Sequence, residues 1–337
     1  MEKKIIAPTT KMNVGAPHGG AGETEAKIWL RQSERRSSVN IKERKGELIL
    51  IGYNLIAAFF PIVANYSGKL MPPILFAALS NLLAAFVTII YLAARGQAHR
   101  VWEKKTLPLL LGVSIFIIAI PSALIFWGAH QTSGINTSLF LQMELPFTLI
   151  IYALFFHEVL TARKYFGAML IGLGSVAILY NGSLHFNWGD LAIIASTIFF
   201  PLGNWYAKRA IEMTTGVVVV CARNLYGGVL LLIMSFFIEP GADLQQNFTQ
   251  HFWMIALYGI VIMGLAKQIW YAGLKYLSVS KAISIHTSQS ALSLVYAMIF
   301  LREIPTLYQW MGLTVIMGGL FAMTYRGKTP APLVEPK

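Results

Sequence analysis

Eight residues that could bind a solute or move a proton stand inside long apolar stretches: Gln142, Glu144, Arg223, Lys267, Trp270, Tyr271, His286 and Gln289. Ionisable groups in hydrocarbon are costly, and they are kept where they line a cavity or pair with one another. Glu144 stands near the middle of its apolar run. At a rise of about 1.5 Å per residue, that places it near the centre of a bilayer. Its carboxyl could take up and release a proton, or it could pair permanently with a cation of another helix. Arg223 and Lys267 are two such cations, each roughly 10–12 Å from one end of its run. Both could hold an anionic group, Arg bidentately and Lys as a point charge. Alternatively, Arg223 pairs with Glu144 or caps carbonyls, and Lys267 snorkels toward headgroups.

Lys267, Trp270, Tyr271 and Leu274 follow i, i+3, i+4, i+7 spacing and share a helix face. A cation beside aromatic rings suits an amphipathic organic solute. The same rings could belong to an interfacial belt with Trp127, Trp188 and Trp253. His286 and Gln289 share a small polar face with Ala282 and Ser293. Such a face lines a cavity or packs closely on another helix.

The elements that must position these groups follow from composition. Of 337 residues, 56% are hydrophobic and 12% charged. The charged share is about half of the roughly 25% usual in soluble proteins. A membrane protein is the reading, and long-range disorder is excluded for most of the chain. Ten apolar segments span about 46–67, 71–94, 107–128, 134–157, 164–181, 188–207, 215–238, 251–274, 279–301 and 307–325. Lipid offers the backbone no hydrogen bonds, so each is expected to be helical. Residues 1–45 are expected to form a disordered basic cytoplasmic tail, and residues 326–337 a second cytoplasmic tail.

Charge placement supports that count. With the N-terminus inside, 23 of the 27 Lys and Arg fall on cytoplasmic segments. Only Lys69 and Arg302 fall outside, and Arg223 and Lys267 lie within spans. This is the positive-inside pattern, with both termini cytoplasmic. The net charge of +12 is therefore a topology signal, and no nucleic-acid footprint is present. The single cysteine, Cys221, can make no intrachain disulfide, and no metal-ligand spacing occurs.

The chain also repeats itself. Residues 128–180 align with 273–325 without a gap, and 11 of the 53 positions are identical. Gly167/Gly312, Gly174/Gly319, Glu158/Glu303 and Tyr180/Tyr325 are among the pairs. Phe59-Phe60-Pro61 recurs as Phe199-Phe200-Pro201. Five helices per copy is an odd number, so the second copy enters the membrane from the opposite side. Inverted repeats of this kind serve alternating access around a site near the midplane.

These features resemble an EamA-type transporter of the drug/metabolite transporter superfamily. The resemblance rests on five plus five helices and on Phe-x-x-Glu before a Gly-rich helix, at Phe155–Glu158 and Phe300–Glu303. Leu141-Gln142-Met143-Glu144 and Arg223 also match the family's pattern. It covers residues 46–181 and 188–325, one five-helix repeat each. Ser80 in place of a second arginine, and Ala291 opposite Pro146, imply that the halves are not equivalent. The resemblance implies export of an amino acid or similar metabolite through the plasma membrane. Exchange of phosphorylated or other anionic metabolites is the alternative, and a membrane sensor or intramembrane enzyme the alternative from another class. No nucleotide-binding or catalytic motif is present, so an enzyme is not expected, nor a cofactor. The partners expected are a small-molecule substrate, the lipid bilayer and protons as a candidate coupling ion.

Of the remaining residues, Glu158 and Glu303 are expected to form a symmetric turn or gate. Asp190 is expected to favour the N-terminus of its own helix. Gly167, Gly172, Gly174, Gly312, Gly318 and Gly319 are expected to let two helices approach closely. Pro61, Pro121, Pro146 and Pro201 are expected to kink their spans.

Overall fold

The computed structural model describes residues 43–156, 161–180, 187–274, 276–277, 285–286 and 288–324. The chain divides into Met1–Arg44 and Lys45–Lys337, and the fold is that of the second unit. Both expected tails lie almost entirely outside the described residues, as do Glu158, Lys281 and Ala282.

The chain is an all-α integral membrane protein. Its helices are α1 (Glu43–Ser67), α2 (Pro73–Ala94), α3 (Leu107–Gln131), α4 (Gly134–Phe155) and α5 (Ala162–Tyr180). Next come α6, in two pieces (Trp188–Thr197 and Phe200–Met213), and α7 (Gly216–Ile238). The last are α8 (Phe252–Gly273), α9 (Ser288–Leu301) and α10 (Leu307–Thr324). Among the described residues, seven of these helices are long and apolar enough to cross a membrane: α1 to α5, α7 and α8. The apolar stretches of α9 and α10 are shorter.

The apolar interior also holds polar groups, and large apolar side chains face outward. Asn54, Asn65, Ser80, Asn81, Asp190, Arg223 and Asn224 are buried, while Phe86, Leu154, Phe166, Phe237 and Trp253 are exposed. Lipid would cover the exposed rings and chains, and packing between helices satisfies the interior.

Helices α2 and α7 pack on each other, as do α5 and α10. The second contact is reciprocal. A Cβ on Gly174 would meet the Gly312 carbonyl, and a Cβ on Gly319 would meet the Gly167 carbonyl. Gly167 and Gly312 are repeat mates, and so are Gly174 and Gly319. Gly174 therefore faces the repeat mate of Gly167, and Gly319 the repeat mate of Gly312, as a two-fold relation between antiparallel helices requires. Gly172 and Gly318 do not take part, because a Cβ on either would meet nothing within 4 Å.

The prolines interrupt the spans in different ways. Helix α1 breaks at residues 58–59 and α6 at residues 198–199, just before Pro61 and Pro201. In α3 the wide π turn Ser114–Ala119 precedes Pro121. In α4 the tight 3₁₀ segment Leu141–Met143 precedes Pro146. Each proline lacks the N–H that would pair with the carbonyl four residues earlier, and the preceding backbone adjusts.

Candidate functional site

The break in α1 and the helices that pack beside it build the candidate site. Tyr53 and Asn54 precede the break and are 2% and 3% exposed. In α8, a ten-residue π segment, Leu257–Ala266, ends where Lys267 begins an ordinary α-helical stretch. The Lys267 ammonium donates to the Tyr53 hydroxyl at 3.0 Å and lies 5.4 Å from the centre of its ring. One turn further, Trp270 packs on Tyr53 with ring centres 5.1 Å apart. His286 completes the group, 5.6 Å from Tyr53 and 5.1 Å from Trp270. A cation and three flat rings thus converge from α1, α8 and the segment before α9. Trp270 packs inward on this group, whereas Trp188 and Trp253 are 73% and 83% exposed.

Tyr271 leaves this group and lies against Gly216 at the start of α7. The Leu274 side chain lies outside what is described.

The polar face of α9 binds the broken backbone of α1. Gln289 donates to the Ala57 carbonyl at 3.2 Å, and Ser293 to the Ala58 carbonyl at 2.8 Å. Asn54 donates to the Ile285 carbonyl at 2.6 Å and to the Ser288 hydroxyl at 3.0 Å. His286 Nδ1 is 3.4 Å from Asn54 Oδ1. This face packs helix on helix, with His286 the member that also reaches the aromatic group.

Glu144 begins the α-helical stretch after the 3₁₀ segment of α4, and half-buried Gln142 lies inside that segment. Lys267 is the charged group that acts on Glu144, and Asn204 of α6 donates to its carboxylate at 3.2 Å. Among the described residues, no hydrogen bond or ion pair joins Arg223 to Glu144.

At the end of the molecule carrying the α3–α4 and α9–α10 turns, the helices interlock. Glu303 accepts from the Gly134 and Ile135 N–H groups at 2.8 and 2.9 Å. Glu239, after α7, accepts from the Ile74 and Leu75 N–H groups at the same two distances. In both cases a carboxylate following a helix of the second half caps a helix N-terminus of the first. Asp190 accepts from Thr132 at 2.5 Å and from Asn136 at 3.3 Å, and Gln309 donates to Asn136 at 2.7 Å. Asp190 thus joins helices as well as standing in the first turn of its own, whose cap Asn187 supplies.

The sequence profile of the EamA-like transporter family matches this chain twice, over residues 44–180 and 187–325. The chain belongs to the EamA-like transporter family. Among curated relatives of this EamA chain, YvbV of Bacillus subtilis, an uncharacterized transporter, is 25% identical over 275 residues. That match covers 76% of this chain and 84% of YvbV. An uncharacterized transporter of Methanothermobacter thermautotrophicus is 22% identical over 240 residues, 69% of each chain. A solved crystal structure, 19% identical, superposes with a TM-score of 0.60 over 83% of this chain and 97% of its own. It shows the fold. The EamA family and these relatives make this chain a membrane transporter. Sequence reasoning missed Tyr53, Asn54 and Asn204 of the candidate site, because no local spacing marks them.

Proposed function

We propose that this EamA protein is a secondary transporter that moves a small amphipathic organic metabolite, such as an amino acid, by alternating access. The proposal includes ten spans, a plasma-membrane location, both termini in the cytoplasm and the export direction. The observation that carries it is the group formed by Lys267, Tyr53, Trp270 and His286, coupled electrostatically to Glu144 across the two repeats. Opposite charges beside aromatic faces offer partners to the charged and apolar parts of such a solute.

The two ends of the molecule support the same reading. Asn65, Asp190 and Gln309 are buried at one end within the interlock of hydrogen bonds. Toward the other end, Asn204 beside Glu144 and Ser288 beside Asn54 are exposed. By the positive-inside pattern the interlocked end is the outer one. A transporter closed outside and accessible from inside has this asymmetry. Glu144, at a helix discontinuity and under the electrostatic influence of Lys267, is the candidate for proton coupling.

The test is solute flux in proteoliposomes over a panel of amino acids and organic anions, with and without an imposed pH gradient. Wild-type protein should move at least one solute and couple it to protons. Glu144→Gln should exchange that solute without proton movement. Equal, gradient-insensitive flux in both would reduce Glu144 to a structural role, and no flux of any panel member would remove the substrate class proposed.

A further inference from the structure

Arg223 is buried, 4% exposed, in the first half of the packed α7. Its Nε and Nη2 atoms have no hydrogen-bond partner. These two nitrogens are not an arbitrary pair. The Nε–H and the Nη2–H point the same way and form the side-on edge of the guanidinium. That edge is one of the two that take a carboxylate with two parallel hydrogen bonds. Among the described residues no carboxylate pairs with it, and the Glu144 carboxylate accepts from Asn204 at 3.2 Å instead. The neighbouring Asn224 Oδ1 is also buried without a donor. A buried guanidinium whose carboxylate-binding edge has no hydrogen-bond partner is a costly arrangement that a bound anion relieves.

We propose that the Nε/Nη2 edge of Arg223 is the subsite for a carboxylate of the transported solute, resting on the transporter reading above. Helix α7 packs on α8, and Asn224 donates to the Met263 carbonyl at 3.4 Å, so the turn that carries Arg223 lies beside the stretch of α8 leading into Lys267. A solute held there would set its carboxylate on Arg223 and its apolar part toward Tyr53 and Trp270. The repeat mate of Arg223 is Ser80, so the subsite belongs to the second half alone.

The experiment is ligand binding to the purified full chain in detergent at constant ionic strength, read by thermal shift and tryptophan fluorescence. The probes are benzoate, benzamide, benzylammonium and sulfate. Benzoate should bind wild-type protein at least about tenfold more tightly than benzamide or benzylammonium, the expectation for a paired charge. Arg223→Gln should abolish that preference, and Arg223→Lys should keep only part of it, having the charge without the fork. Equal binding of benzoate and benzamide by wild type overturns the subsite, even where Arg223→Gln does not fold. Unchanged benzoate preference in Arg223→Gln overturns it too. Sulfate binding as tightly as benzoate would assign the edge to a free inorganic anion and overturn the solute assignment. Flux is the separate readout. Carboxylate binding without transport would sink the transporter reading, whereas transport with no carboxylate preference would sink only the subsite.

Discussion

Gln289 donates to the carbonyl of Ala57, the one carbonyl of α1 that Pro61 deprives of its α-helical donor. The repair comes from 232 residues away. Leaving a buried carbonyl unpaired costs about 1–3 kcal/mol. Gln289→Leu should therefore lower stability by about that amount, measured by thermal unfolding in detergent. Ser293→Ala should likewise lower stability, because the Ala58 carbonyl that Ser293 reaches at 2.8 Å lies in the same break. In a Pro61→Ala background residue 61 supplies an N–H, and the loss from Gln289→Leu should shrink. An equal loss in both backgrounds would disconnect Gln289 from the proline.

Lys267 is the cation acting on Glu144, so removing either alone leaves a charge without its counterpart. Lys267→Met should lower solute flux at least about tenfold and also destabilise the protein. Glu144→Gln added to Lys267→Met should recover stability without recovering flux, a coupling that a double-mutant cycle reads directly. Additive losses would show that the two side chains act independently. Tyr53→Phe removes the 3.0 Å bond and keeps the ring, so flux should fall less than with Lys267→Met.

The helix breaks were legible from Pro61 and Pro201, and the two-fold relation from the repeated glycines and Phe-x-x-Glu, because both depend on local residue type. Tyr53 and Asn54 were not. They sit in an apolar segment of α1 and gain meaning only from contacts with α8 and α9 more than 200 residues away. Asp190 satisfied a local rule for a helix start, and its bonds to Thr132 and Asn136 add a second role that no local rule shows. Gly172 and Gly318 shared the spacing of a packing stripe but face away from it. Residue type marks what a helix can do, whereas its rotation about its own axis is settled by its neighbours.

The Glu303 carboxylate takes both free N–H groups at the start of α4. Glu303→Gln keeps one carbonyl acceptor and loses the charge. A charge-assisted bond is worth roughly 1.5–3 kcal/mol, so loss of one should favour opening by about tenfold or more. Ile135 is buried beneath the contact and reports on it. In a Cys221→Ala background, Ile135→Cys should react slowly with a maleimide, and Glu303→Gln should speed the reaction about tenfold. An unchanged rate would mean that the contact braces α4 without governing access.

The α5–α10 contact gives the most discriminating substitution set, because four glycines of similar spacing divide into two classes. A Cβ on Gly174 would lie 2.7 Å from the Ile316 side chain and 2.8 Å from the Gly312 carbonyl. A Cβ on Gly319 would lie 2.6 Å from the Gly167 carbonyl. Backbone cannot yield as a flexible side chain does, so Gly174→Ala and Gly319→Ala should each destabilise by about 1–3 kcal/mol. Gly172 and Gly318 have no neighbour within 4 Å of such a Cβ. Gly172→Ala and Gly318→Ala should therefore be neutral or gain up to about 1 kcal/mol from helix propensity. Thermal unfolding of the four variants reads the contrast. Comparable losses at all four positions would mean that general glycine content, and not the reciprocal contact between repeat mates, holds α5 against α10.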